Sequence, residues 1–142
     1  MSLLTNKIFL SVAIAGVFAQ LLKILIFIFR HKQKFHINDL IVTGSMPSAH
    51  SALVTSLAIA IYLDQGLTAA FFLAAVFAVV VIRDAFGVRR TAGEEGKIID
   101  NIIKASKLKI KTFHYSLGHS PKEVTAGIII GIAASILVHF LV

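Results

Sequence analysis

Two short polar stretches of this chain carry groups able to do chemistry on an anion. Pro47-Ser48-Ala49-His50 opens directly onto the apolar run 51–63, and His119 is followed four residues later by Glu123, just ahead of the apolar run 124–142. Each stretch falls where a helix should begin. Pro47 fixes φ and suits a first helical position, with Ser45 as N-cap and Gly44 permitting the sharp entry, while Pro121, Lys122 and Glu123 form the first turn of the later helix. A helix N-terminus presents unpaired N–H groups and partial positive charge, so it receives phosphate readily. Ser48 adds a hydroxyl donor there, and His50 and His119 add titratable imidazoles. At a spacing of four, His119 and Glu123 share one side if the helix already includes both. The carboxylate can then hold one ring nitrogen and leave the other free as a nucleophile or base. Taken singly, the same residues also read as a capped helix start with an incidental His50, and as a helix-capping His119 beside a surface Glu123.

The elements that must position these groups lie in a membrane. Of 142 residues, 57% are apolar and 15% charged, with a mean hydropathy of +0.87, a balance that excludes an ordinary soluble domain and marks an integral membrane protein. The absence of cysteine excludes disulfides, zinc-thiolate sites and cysteine nucleophiles. A formal net charge of +7 on such a chain points to anionic phospholipid head groups as partners. Nucleic acid is not expected, because no aromatic residues interleave the basic tracts. Ala13-Ile14-Ala15 has the look of a cleavage triplet, but the apolar stretch before it is short and the hydrophobicity runs on to Phe29, so no cleaved signal peptide is expected.

Four apolar segments follow one another at residues 8–29 (interrupted by Gln20 and Lys23), 46–63, 67–82 and 124–142, with Asp64-Gln65-Gly66 as the tight turn between the second and third. They predict an all-α, polytopic membrane helix bundle of about four transmembrane helices, forming one domain over residues 1–142. In the third connector, Ile98, Ile99, Ile102 and Ile103 recur at helical spacing opposite Lys97, Asp100, Asn101 and Lys104, which predicts an amphipathic helix at the membrane interface. The alternating basic and apolar residues at 107–111 read as a head-group-binding tract. The first connector holds three Lys and Arg and the third holds nine, whereas the second connector and the C-terminal end hold none. By the positive-inside rule both termini face outward. Helix alternation then brings the starts of the second and fourth helices, and the ends of the first and third, to the cytoplasmic face. Ser48, His50, His119 and Glu123 would meet Lys23, Arg30, Arg83, Arg89 and Arg90 there, as two histidine-bearing helix starts inside a ring of cations. Such a site suits a multiply charged anion. Lys23, about two turns inside a membrane helix, either serves that site or snorkels to the interface.

These stretches resemble a known superfamily. Pro47-Ser48-Ala49-His50 resembles the second motif, Pro-Ser-Gly-His, of the type 2 phosphatidic acid phosphatases, a superfamily that includes vanadium-dependent haloperoxidases. His119 with Glu123 resembles its third motif, and Lys23 with Arg30 its first. The stretches 44–50, 83–90 and 117–124 are similar, in order and along nearly the whole chain, to signatures of its divergent branch of small bacterial and plant membrane proteins. The resemblance implies a phosphoric monoester hydrolase of a prokaryotic cytoplasmic membrane, acting on a lipid or isoprenoid phosphate, with no metal and no cofactor. It implies that His119 attacks phosphorus to form a phosphohistidine, that Glu123 orients it, and that His50 protonates the leaving oxygen. Ser48, Lys23 and Arg30 would hold the phosphoryl oxygens. The Ser-Arg pair that precedes the nucleophile in the superfamily falls on Thr112-Phe113, so Arg83, Arg89, Arg90 or Lys111 must replace that cation. His31 and Ala49 stand where the motifs have Pro and Gly. A haloperoxidase is disfavoured, since such enzymes are expected to be larger and soluble. The alternative reading is a non-catalytic membrane protein that binds phosphate or phospholipid head groups, or assembles with a partner; a homo-oligomer is compatible with either.

Overall fold

Each long apolar run becomes a helix, as a chain in hydrocarbon must satisfy its backbone internally. The structure, a computed structural model, describes residues 6–31, 46–106 and 118–142. Among the described residues it contains α1 (Lys7–His31), α2 (Ala49–Gln65), α3 (Ala69–Phe86), α4 (Val88–Ala105) and α5 (Pro121–Leu141), and no strand. The expected all-α bundle is therefore observed. Among the described residues, three helical stretches are long and apolar enough to cross a membrane, Lys7–Phe29, Ala69–Ala105 and Pro121–Leu141. The remaining expected span, α2, is only 17 residues long, about 25 Å at 1.5 Å per residue. It is nonetheless the central helix, packed against α1, α3 and α5.

Small side chains explain that position. The buried residues of α2 are Ala49, Ser51, Ala52, Val54, Thr55, Ser56, Ala58 and Ala60, so three neighbouring backbones can approach closely. The tightest approach is to α5, which runs parallel to α2. A Cβ added at Gly131 would stand 2.6 Å from the Ala52 carbonyl oxygen, and one at Gly127 would overlap the Ser48 carbonyl oxygen. One turn further on, Ser135 Oγ lies 2.9 Å from Ser56 Oγ and donates to the Ser56 carbonyl at 3.0 Å. A line of small residues on α5 thus lies flat against α2. Against this pair α1 presents Ser11, Ala15, Ala19 and Lys23, one buried residue per turn. It runs antiparallel to α5, since Lys7 Nζ donates to the His139 carbonyl at 3.5 Å.

Several boundaries depart from the sequence expectation. α2 starts at Ala49 rather than at Met46; its N-cap is Ser48, not Ser45, and Pro47 precedes the helix instead of occupying its first position. Ser45 itself lies outside the described residues, as does the tract at 107–111. As expected of an apolar run that is short for a span, α3 continues past residue 82 through Arg83, ending at Phe86, and Arg83 in its last turn is favourable at the negative end of the helix dipole. Gly87 interrupts it, and α4 follows at once. The expected amphipathic helix is α4, longer than its isoleucine pattern showed, with Ile98, Ile99 and Ile102 exposed.

If the glycine contacts fix the bundle, Gly127→Ala must force α5 away from α2, an overpacking cost of roughly 1–3 kcal/mol. At Gly16 the added Cβ would meet the side chain of Leu53, which can move. Thermal unfolding in detergent, followed by circular dichroism at the helical band, should therefore give a clearly lower midpoint for Gly127→Ala than for Gly16→Ala. Equal midpoints would mean that the α2–α5 contact is not limiting.

Candidate functional site

The two polar stretches meet at one end of the bundle. Ser48 caps α2 with its hydroxyl, which accepts from Ser51 N at 3.3 Å and from Ser51 Oγ at 2.9 Å and is fully buried. Its backbone N–H donates instead to the Glu123 carbonyl at 3.0 Å, so the starts of α2 and α5 are bonded to each other. His50 follows in the first turn of α2 and is exposed.

At α5 the entry is built on Gly118, which has φ +64 and lies against the backbone of Arg89 and Arg90 so closely that a Cβ would stand 2.6 Å from Arg90 N. Only glycine suits both demands. The next residue, His119, donates its backbone N–H to the Ala85 carbonyl at 3.0 Å, which pins the turn to the end of α3. The Glu123 carboxylate accepts from Ser120 N and from His119 Nδ1, both at 3.1 Å. A single oxygen thus caps the helix and fixes the imidazole. With Nδ1 committed to the carboxylate as the protonated nitrogen, Nε2 keeps its lone pair. The ring is 4% exposed, the carboxylate 20%.

The cations are distributed unequally. Lys23 is 7% exposed and projects into the bundle, not out to the interface, close enough for its charge to act on both His119 and Glu123. Arg89 lines the same cavity as the two histidines. Arg90 pairs with Glu94 at 3.0 Å on the exposed face of α4, and only its backbone touches the site, at Gly118. Arg83 is exposed, with its guanidinium carbon 5.7 Å from the centre of the Phe86 ring. The side chain of Arg30 lies outside the described residues. Of the expected cations, Lys23 and Arg89 are therefore brought to the imidazoles, and Arg83 and Arg90 are not.

The cavity measures about 240 Å³ and is walled by His50, His119 and Arg89, by apolar Val80, Val81 and Ala85, and by Asp84. Asp84 was not among the residues expected from sequence. Its carboxylate pairs with Arg89 Nε across the α3–α4 break. An exposed pair of this kind contributes on the order of 1 kcal/mol or less, so Arg89 can exchange Asp84 for an incoming anion at small cost. Among the described residues no cluster of His, Cys, Asp and Glu is arranged to hold a metal ion. Burial, the largest cause, pushes the His119 imidazole below its ordinary value of 6.5; the hydrogen bond and charge of Glu123 oppose this, and Lys23 and His50 reinforce it.

A helical membrane bundle with paired helix starts, a carboxylate-held histidine and a buried lysine defines a class of membrane protein with a polar cavity at one end, and comparison with known sequences places it more closely. The divergent PAP2 family matches residues 4–134, and the chain belongs to that family. It is 37% identical to the uncharacterized membrane protein YuiD of Bacillus subtilis (strain 168) over 157 aligned positions, covering 99% of this chain and 98% of that protein. No solved structure matches it significantly.

The sign of the pH dependence follows from the depressed His119 value. In the unfolded chain the imidazole takes up its proton near 6.5, before the folded protein does, so this group contributes its full stability above that pH and loses it as pH falls towards the folded value. Histidine NMR in micelles should give His119 a midpoint below 6.5, and Glu123→Gln, which removes the opposing influence, should move it lower still. An upward shift in that variant would contradict the assigned geometry.

Proposed function

We propose that this protein is a membrane phosphatase that hydrolyses a lipid or isoprenoid phosphate through a phosphohistidine on His119. The observation that carries the reading is the buried imidazole whose Nδ1 is held by Glu123 in a cavity shared with His50 and Arg89. Nε2 of His119 attacks phosphorus as the ester P–O bond breaks, and His50 in its protonated form gives its proton to the departing oxygen, releasing an alcohol. Water then attacks phosphorus as the P–N bond breaks, His50 takes a proton from that water, and inorganic phosphate leaves with His119 restored. Arg89 and Lys23 balance the charge on the phosphoryl oxygens, and preorganised charge of this kind is what phosphoryl transfer chiefly needs. Ser48 enters through its position: its hydroxyl oxygen caps α2, and its own hydrogen remains available to an acceptor. Val80, Val81 and Ala85 in the cavity wall, together with the membrane setting, favour a substrate with an apolar group.

The basic connectors support placing this site at the cytoplasmic face of a prokaryotic membrane, with both termini outward and anionic phospholipid head groups against the basic surface. Because the chain lacks cysteine, Ser120→Cys gives a unique label for a membrane-impermeant maleimide, which should react only after the cells are permeabilised.

Purified protein should release phosphate from members of a lipid phosphate panel. His119→Ala should abolish release from all of them, whereas His50→Ala should spare an aryl phosphate whose phenol leaves without a proton. Lys23→Met should cost on the order of 2–4 kcal/mol of transition-state stabilisation, by analogy with a lost oxyanion donor, and Arg90→Met, whose partner is Glu94, much less. Phosphate binding without release in wild type would instead establish a non-catalytic binder of phosphate or head groups.

A further inference from the structure

A second cavity, of about 340 Å³, lies between α1, α2 and α3 and is lined by Val12, Leu53, Leu57 and Phe77 together with His50 and Val81. His50 and Val81 also belong to the reactive cavity, whereas His119, Asp84 and Arg89 line only that one. The two spaces are therefore joined at His50, the residue assigned above as the acid. On α2, His50, Leu53 and Leu57 stand at i, i+3 and i+7 on one face, so the groove follows that helix for about 10 Å away from the reactive end. Phe77 stands one turn before Val81 on α3 and is 53% exposed, which leaves the groove open to hydrocarbon from the side.

Displacement at phosphorus puts the leaving oxygen opposite the attacking nitrogen. With His119 as nucleophile, that oxygen lies on the His50 side, and whatever it carries must continue past His50. We infer that this groove holds the hydrocarbon chain of the substrate, and that the substrate is a phosphate monoester whose chain begins at the ester oxygen, an alkyl or isoprenyl phosphate and not a diacylglycerol phosphate. A glycerolipid places two ester groups next to its phosphate, and burying them without hydrogen-bond partners is unfavourable. Beyond His50 the named wall residues are Val, Leu and Phe, which offer no side-chain donor. The proposal rests on the phosphatase reading for the direction of the leaving group, and its test separates the two.

Decyl phosphonate bearing a terminal diazirine is a suitable probe, because its P–C bond survives whether or not the protein is an enzyme. After irradiation of the full-length protein in nanodiscs, peptide mapping should place the label on the Leu57 and Phe77 segments. Decyl phosphate should displace it, and a dioleoyl phosphatidate at the same concentration should not. Leu57→Trp, which fills the groove and displaces at least two methylenes, should weaken labelling on the order of tenfold. Ile129→Trp, in the separate apolar groove between α1 and α5, should leave labelling unchanged. Label on Ile14, Phe18 or Ile129, equal competition by phosphatidate, or equal effects of the two tryptophans would overturn the assignment. Phosphate release from decyl phosphate, measured on the same preparations, judges the phosphatase reading separately. Correct labelling without release would sink that reading and leave the groove; release with misplaced label would do the reverse.

Discussion

The bundle depends on how closely α5 can lie against α2. Gly127 and Gly131 have no side chain to hold the helices apart, so the Ser48 and Ala52 carbonyls occupy the space that a Cβ would need. In hydrocarbon the hydrophobic effect does not draw helices together, and close packing with interhelical hydrogen bonds must do so instead. Here both are present, with Ser56 and Ser135 bonded mid-helix and Ser48 N bonded to the Glu123 carbonyl at the end. Because the two helices run parallel, this contact also brings both of their positive ends to one place. The histidine-lined cavity is a direct consequence of the packing.

That arrangement gathers groups which would be unfavourable apart. A lysine buried in a membrane helix needs opposite charge nearby, and Glu123, from across the bundle, supplies it within electrostatic reach of Lys23. The antiparallel register of α1 on α5 delivers it: Lys7 meets His139 at one end, and sixteen residues along each helix the charge of Lys23 acts on Glu123. Glu123 in turn holds His119 and caps α5, so a single carboxylate links helix stability, imidazole orientation and the charge balance of the pocket. Asp84 performs a related task from α3 by holding Arg89 at the cavity wall. Asp84 thus has a cation beside it, and Glu123 has the charge of Lys23 within reach.

Much of this was legible from charge and helix parity. Counting Lys and Arg in the connectors placed the starts of the second and fourth apolar runs on one side, and the Ser48–Glu123 bond shows them adjacent. The contact of His119 with Glu123 was expected from a helix that includes both; the helix starts at Pro121, and the contact forms because the Glu123 carboxylate reaches back over the N-cap to Ser120 N and His119 Nδ1. What escaped has identifiable causes. Ser45 and Ser48 are equally good caps by type, and only the tertiary bond from Ser48 N decides between them. Arg89 and Arg90 are adjacent on a helix and so point about 100° apart; one can face the cavity, and sequence does not say which. Asp84 carried no spacing signal beyond lying five residues before Arg89. The Gly127 and Gly131 pair, by contrast, is a readable close-packing motif in an apolar helix, and it would have indicated which helix face meets α2.

The central claim is that one anion is shared by two histidines on separate helix starts. It is tested most directly by titrating inorganic phosphate into histidine-labelled protein in micelles while following the imidazole signals by NMR. His50 and His119 should shift together along one saturating curve, and His139, at the opposite end of α5, should not move. Shifts with different affinities, a response from only one of the pair, or a response that includes His139 equally would show that the two helix starts do not form a common site.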